Sequence, residues 1–249
     1  MPRSPCRTWI FLTLASLPLP VSADVFYAPP APAEDAPIFS GEAELGFTEL
    51  SGNSDSRTLI ARGRLTWLTG RLTHTLRGEV LRIETNDETS TEQYLIGGRE
   101  RYELQGPHYL FGFARWEKDR FSGYEYLFTT IAGYGRQVLD GPTHVLSLET
   151  GPGYRHEEGH DGTSQDLGIG YGALDYRWNV SQGAYFEQEM SVEGSSSNVT
   201  ARALSTISAK LNSSLALKFS HELRHNTNPP EGDAAHTDRI TAMSILYSW

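Results

Sequence analysis

Apolar and polar residues alternate with a period of two along most of the chain, and each alternating stretch ends at Gly, Pro, Asn or Asp. In the second stretch Leu59, Ala61, Leu65 and Trp67 oppose Thr58, Arg62, Arg64 and Thr66. In the eleventh, Leu215, Leu217, Phe219 and Leu223 oppose Lys218, Ser220, Glu222 and Arg224. Successive side chains of an extended chain point to opposite faces, so the pattern predicts strands with one apolar and one polar face. Twelve runs read this way, over residues 41–50, 55–68, 72–85, 91–104, 108–120, 124–139, 143–156, 164–178, 183–193, 199–211, 214–225 and 237–249, with no amphipathic helix among them. Their spacing exceeds the about 8–12 residues of a compact sandwich. It suits strands of about 9–11 residues that cross a bilayer at a tilt, with extensions and turns added.

The connections alternate in character. One set is tight: Thr69-Gly70, Gln105 to Pro107, Asp140 to Pro142, Asn179 to Gly183, and Asn212-Ser213. The other is longer or more polar: Asn86 to Thr91, Arg120 to Glu125, Glu157 to Gln165, Gly194 to Asn198, and Asn226 to His236. Short turns on one rim and longer loops on the other, with an even strand number, predict an all-β fold: a single antiparallel up-and-down transmembrane β-barrel of about twelve strands, apolar face outward. The middle strands are less regular. Glu100 shares a face with Tyr94, Ile96 and Tyr102, and Tyr109, Phe111 and Phe113 compete with Leu110, Ala114 and Trp116 for the apolar face. A bulge or an aromatic-filled lumen would explain either case. The last run places Met243, Ile245, Tyr247 and the terminal Trp249 on one face. It resembles the C-terminal signal by which barrel-assembly machinery recognises outer-membrane substrates.

The two ends of the sequence differ from this frame. Arg3 and Arg7 precede an apolar stretch from Trp9 to Leu19 and a small-residue site at Val21-Ser22-Ala23, the pattern of a secretory signal over residues 1–23, and Pro18 and Pro20 oppose a buried first helix. Residues 24–39 are rich in Pro and Ala and predict an extended periplasmic lead-in to a barrel over residues 40–249. The single cysteine, Cys6, lies within the signal, so a cysteine-stapled domain is excluded.

Composition alone points elsewhere. The chain is 38% hydrophobic, has a mean hydropathy of −0.42 and carries a formal charge of −10. The absence of an interior apolar run near 18 residues excludes helical spans but not strands, whose apolar residues are diluted by alternation. The acidic balance disfavours nucleic acid. On the inferred inner face the charges interleave as Glu42, Glu44, Arg62, Arg64, Arg77, Glu79, Arg99, Arg101, Lys218, Glu222 and Arg224, and Glu103, Arg115, Glu117, Glu149, Glu187, Glu189, Arg202 and Lys210 continue the set, roughly balanced by sign. Interleaved signs suit cross-strand pairing. They suit either a lumen filled by ions or a narrow selective channel. His156, Glu157, Glu158, His160 and Asp161, with Asp166, form one dense cluster of potential metal ligands whose spacing matches neither a calcium-loop nor a zinc-helix pattern, so a solvated acidic loop is expected. No cofactor is expected. A lipid hydrolase would need Ser and His together at a lipid-facing rim, and His144 and Ser147 fall on opposite faces of one strand.

Leu45-Gly46-Phe47, the turn Leu50-Ser51-Gly52-Asn53-Ser54-Asp55-Ser56 and the Gly-rich tyrosine strands Ile131 to Gly135 and Gly168 to Gly172 resemble the salt-induced outer-membrane protein family, domain-of-unknown-function family 481. The resemblance implies a Gram-negative outer-membrane barrel of undefined activity, with a link to salt or osmotic stress. The expected function is structural or that of a narrow passive channel, in contact with outer-membrane lipid and lipopolysaccharide. Barrel-assembly machinery and periplasmic chaperones are the expected partners during biogenesis. The alternatives are a barrel enzyme acting on lipid and a soluble periplasmic lipid-binding β-barrel.

Overall fold

The computed structural model describes residues 37–50, 56–86, 88–120, 124–228 and 236–249. The signal over 1–23 and nearly all of the lead-in over 24–39 lie outside the described residues. Twelve strands follow one another: β1 (Phe39–Leu50), β2 (Ser56–Thr69), β3 (Leu72–Thr85), β4 (Glu88–Glu103), β5 (His108–Asp119), β6 (Tyr124–Asp140), β7 (His144–Gly159), β8 (Ser164–Ser181), β9 (Ala184–Gly194), β10 (Val199–Lys210), β11 (Leu215–Asn226) and β12 (Thr237–Ser248). Each pairs antiparallel with its sequence neighbours, and β12 pairs with β1 to close the barrel. Closure leaves the strands inside one hydrogen-bonded cylinder, the arrangement that satisfies backbone groups where no water is available.

The twelve alternating runs correspond one to one with these strands, but their ends differ. β3 runs to Thr85 and β4 begins at Glu88, so the expected loop from Asn86 to Thr91 is a tight hairpin, with Asn86 in the left-handed region at φ 53°. β7 and β8 likewise extend into the polar stretch from Glu157 to Gln165, leaving a turn over 160–163. Polar residues on an extended hairpin lie in water beyond a membrane and keep their ladder bonds, so polarity marks the limit of the apolar belt rather than the end of the strand.

The faces are inverted relative to a soluble protein. Outside, Leu45, Phe47 and Ile96 are each 61% exposed, while inside Arg115, Thr129 and Ser147 are wholly buried. The soluble lipid-binding barrel, which would carry its apolar face inward, is not what forms. The irregular middle strands resolve without a bulge between β4 and β5. Glu100 faces outward and pairs with His74 at 2.6 Å, and the His74 ring stacks on Trp67. Tyr109, Phe111 and Phe113 point inward and pack with Ile131, Leu167, Ile169 and Tyr171, an aromatic-filled lumen. Gly133 and Gly135 on β6 lie under those rings. A Cβ at Gly135 would overlap Tyr109, and one at Gly133 would overlap Phe111.

The closing seam ends at the C-terminus. Gly41 and Trp249 exchange both backbone hydrogen bonds at 3.1 Å, and the indole lies where a side chain on Gly41 would be. Met243, Ile245, Tyr247 and Trp249 face outward, about half exposed, with the last two rings stacked 5.5 Å apart. Further outward rings on the short-turn rim pair with histidines: His144 Nδ1 lies 2.9 Å from the Tyr176 hydroxyl, and His108 contacts the Tyr134 hydroxyl. Rings with one apolar and one polar edge are suited to a membrane–water boundary.

Candidate functional site

Inward positions of neighbouring strands carry opposite charges at matching register. Glu42 lies across from Arg64 and Glu44 from Arg62, while Arg62 lies across from Glu79. The side chains complete what the register sets up. Glu42 contacts Arg64, Arg62 donates to Glu44 at 3.0 Å and to Glu79 at 3.1 Å, and Arg77 donates to Glu79 at 2.9 Å. On the other side of the seam, Lys218 on β11 reaches Glu44 at 3.0 Å, Ser244 on β12 donates to Glu44 at 2.7 Å, and Glu222 lies 3.7 Å from Arg62.

A second group of pairs spans the lumen instead of following the ladder. Arg202 on β10 donates to Glu117 on β5 at 2.7 Å, and Arg224 on β11 lies 3.8 Å from both Glu117 and Asp119. In the circular strand order β5 and β11 are six strands apart, which is opposite in a barrel of twelve. Arg115 on β5 donates to Glu193 on β9 at 2.9 and 3.0 Å and to its neighbour Glu117 at 2.7 Å, and Arg155 on β7 also contacts Glu193. Nearer the short-turn rim Arg99 contacts Glu149 on β7 and lies 4.9 Å over Phe111. Arg101 lies 3.5 Å over Tyr109 and donates to Glu103 at 2.6 Å. Charged hydrogen bonds of this kind hold the guanidinium planes against the rings and the opposite wall.

The structure therefore brings most of the expected inward charges into ion-paired groups, one around Glu44 and Arg62 and one around Glu117 and Glu193, with further pairs beside them. It adds members that sequence alternation left out: Asp119, Arg155, Arg177 and Glu193. Arg155 and Glu193 fall near the ends of their runs, next to the expected connections from Glu157 and Gly194. The alternation Glu187, Glu189, Ser191, Glu193 on β9 was the signal that could have found the last of them.

Among the described residues, open space in the lumen includes a region between β1–β4 and β9–β11, away from the aromatic cluster, and a smaller cavity of about 30 Å³ beside Glu117, Asp119 and Arg224. Two cavities of about 50 and 40 Å³ meet in that region and share Arg77, Glu189 and Leu204. Each has room for a few water molecules. The first is bounded by Glu42, Glu44, Arg64 and Lys218, the second by Glu79, Arg202, Glu222 and Arg224.

The acidic cluster near the loop rim disperses. Glu157 faces the lumen, His156 lies 2.7 Å from Asp166 on the outer wall, His160 lies 3.1 Å from Glu125, and Asp161 accepts from Thr163. Among the described residues no group of three His, Cys, Asp or Glu is placed to hold a metal ion. The Asp161 carboxyl is held below the usual aspartate value by the Thr163 hydroxyl at 2.6 Å and the Thr163 backbone N–H at 3.0 Å.

A family model described as "Protein of unknown function, DUF481" matches residues 43–249. The chain is 36% identical over 234 residues to "Uncharacterized protein YdiY" of Escherichia coli (strain K12), covering 94% of this chain and 92% of the relative. Among solved structures it is similar to the translocator domain of autotransporter NalP from Neisseria meningitidis (14% identity, TM-score 0.55, 86% of this chain and 89% of that one) and to the NanC porin (4% identity, TM-score 0.55, 83% and 98%). It is also similar to an outer membrane channel from Pseudomonas putida F1 (10% identity, TM-score 0.51, 85% and 94%). At these identities the likeness is one of fold, and the shared fold is the outer-membrane barrel.

Proposed function

The chain belongs to the DUF481 family, and we propose that it is a narrow passive channel of the bacterial outer membrane, exported by a cleaved signal peptide, whose lumen admits water and small ions and bars larger solutes. The observation that carries this reading is the Arg202–Glu117 bar with Arg224 beside it, which joins facing walls and has, among the described residues, only water-sized cavities around it. Pore selectivity and conductance follow from the radius and lining of the narrowest section. The outward apolar band and rim aromatics support contact with outer-membrane lipid and lipopolysaccharide, and the outward C-terminal residues support recognition by barrel-assembly machinery. The named structural neighbours are barrels of the translocator, porin and channel kind.

The test is planar-bilayer recording on the refolded barrel in KCl. Small, steady conductance steps are expected, with no permeation by oligosaccharide. Silence at all voltages would overturn the reading. A purely structural role is favoured by one observation: Arg115 and Glu193, at the centre of the cross-lumen network, are essentially solvent-free. That role predicts silence together with envelope fragility on deletion. The salt link implied by the family resemblance predicts that deletion strains grow poorly at high osmolarity.

A further inference from the structure

Carboxylates lining the two cavities are almost all matched. Glu42 has Arg64, Glu44 has Arg62 and Lys218, Glu79 has Arg62 and Arg77, Glu187 accepts twice from Arg177, and Glu222 lies 3.7 Å from Arg62. Glu189 is the exception. It is 7% exposed, lies where the two cavities meet, and its Oε2 is buried with no hydrogen-bond partner. Among the described residues no cation stands within ion-pair distance of it. Its ladder neighbours bring none: Leu204 on β10 is apolar, and Asp175 on β8, directly across the register and buried on the same face, is a second acid.

A desolvated carboxylate without a partner is unfavourable, and two acids directly across a ladder are more so. Arg77, which borders both cavities near Glu189, is already engaged by Glu79. The space beside the carboxylate is of water size. It fits a small inorganic cation with part of its hydration shell, and it is too small for an organic cation.

We propose that Glu189, at the neck between the two lumen cavities, is a binding site for a small monovalent inorganic cation and is the residue that makes the lumen cation-selective. An anion meets the unmatched carboxylate at the neck and is repelled, and a cation is held weakly enough to leave again. The selectivity half of this proposal rests on the channel reading above. The binding half does not.

Two measurements separate them. Thermal unfolding of the refolded barrel, followed by heat-modifiable gel migration, is compared in KCl and in N-methyl-D-glucamine chloride at equal ionic strength. A ligand that binds the folded state alone raises the midpoint. The wild type is expected to unfold at a higher temperature in KCl. Glu189→Gln, nearly identical in shape, is expected to lose that difference, while Glu100→Gln on the outer wall keeps it. Equal midpoints for the wild type in both salts, or a difference that survives in Glu189→Gln, overturn the site. In planar bilayers under a KCl gradient, the reversal potential is expected to show a several-fold preference for K⁺ over Cl⁻ that Glu189→Gln abolishes. Conductance with no cation preference, or with a preference unchanged in Glu189→Gln, overturns the selectivity role. Silent membranes with a KCl-dependent midpoint overturn the channel reading and leave the cation site standing.

Discussion

Glu117 on β5 accepts a hydrogen bond from Arg202 on β10 at 2.7 Å, joining strands five apart in the ring. Neither residue has the other near it in sequence, and no ladder register places them together. The pair exists because the barrel is narrow enough for two long side chains from facing walls to meet. Replacing Glu117 by Ala removes the acceptor for Arg202, the nearest carboxylate of Arg115 and one of the two carboxylates 3.8 Å from Arg224. The expected outcome is a larger single-channel conductance with more gating noise. An unchanged conductance in planar bilayers would show that this pair does not lie at the narrowest section.

Glu193 holds two arginines. Arg115 and Arg155 both donate to it, and its side chain is nearly solvent-free. Glu193→Gln removes the carboxylate that two buried cations share, leaving Glu117 to Arg115 and only Glu157, at 4.0 Å, to Arg155. Removing one partner of a buried pair costs about 3–5 kcal/mol. The measurement is urea unfolding in lipid vesicles, with the fall in midpoint converted through the measured slope. The double variant Glu193→Gln, Arg155→Met is expected to recover part of that loss, since it removes one of the stranded charges.

Tyr109 occupies the space that Gly135 leaves. Gly135→Ala forces the ring aside, and inserting carbon into a packed interior costs about 1–3 kcal/mol. Pairing it with Tyr109→Ser removes the collision, so Gly135→Ala in that background is expected to be nearly neutral. A cost that stays the same in both backgrounds would place the strain elsewhere. Stability by heat-modifiable migration decides between the two.

The Asp161 carboxyl in the β7–β8 turn titrates below its ordinary value because Thr163 donates to it twice. A depressed carboxyl favours the folded turn above the ordinary aspartate value of about 3.9. The contribution is lost as pH falls through the lower, folded value. Carboxyl ¹³C chemical shifts are expected to show Asp161 titrating below a free aspartate. Thr163→Val, which keeps the backbone donor and removes the hydroxyl, is expected to move the titration part of the way back up.

Trp249 packs its ring on Tyr247 and over Gly41 at the closing seam. Trp249→Ala is expected to slow folding into vesicles because the seam loses its cover, and the proposed recognition of the C-terminal residues by barrel-assembly machinery predicts a larger fall in the heat-modifiable fraction in cells. An equal reduction in both settings would assign the whole effect to the seam.

Strand number and the direction of the faces were legible in the chain because both rest on local geometry. A period of two is set residue by residue, as in Leu215 to Arg224, and turn chemistry at Gly70 and Gly106 ends the strands at positive φ. The run of Glu on the first strand and Arg on the second was legible too, and the register then pairs Glu42 with Arg64 and Glu44 with Arg62. The middle strands were ambiguous for a physical reason: apolar residues occur on both faces of β5, so alternation has no sign to read. Leu110 meets the outside while Tyr109, Phe111 and Phe113 fill the lumen over glycines on β6. The loops were over-drawn because polar hairpin ends look like loops when only hydropathy is followed.

Alternation along the chain specified twelve strands, the inward and outward faces of all but the middle ones, and an inner face on which opposite charges interleave. Only closure of the barrel decided which charges meet across the lumen, because those distances depend on its diameter and on rotamers of residues far apart in the chain. Glu189 shows the difference. In sequence it is one inward acid among several, alternating like Glu187. In the closed barrel the cations around it are taken by other carboxylates, and the unmatched charge is left at the neck.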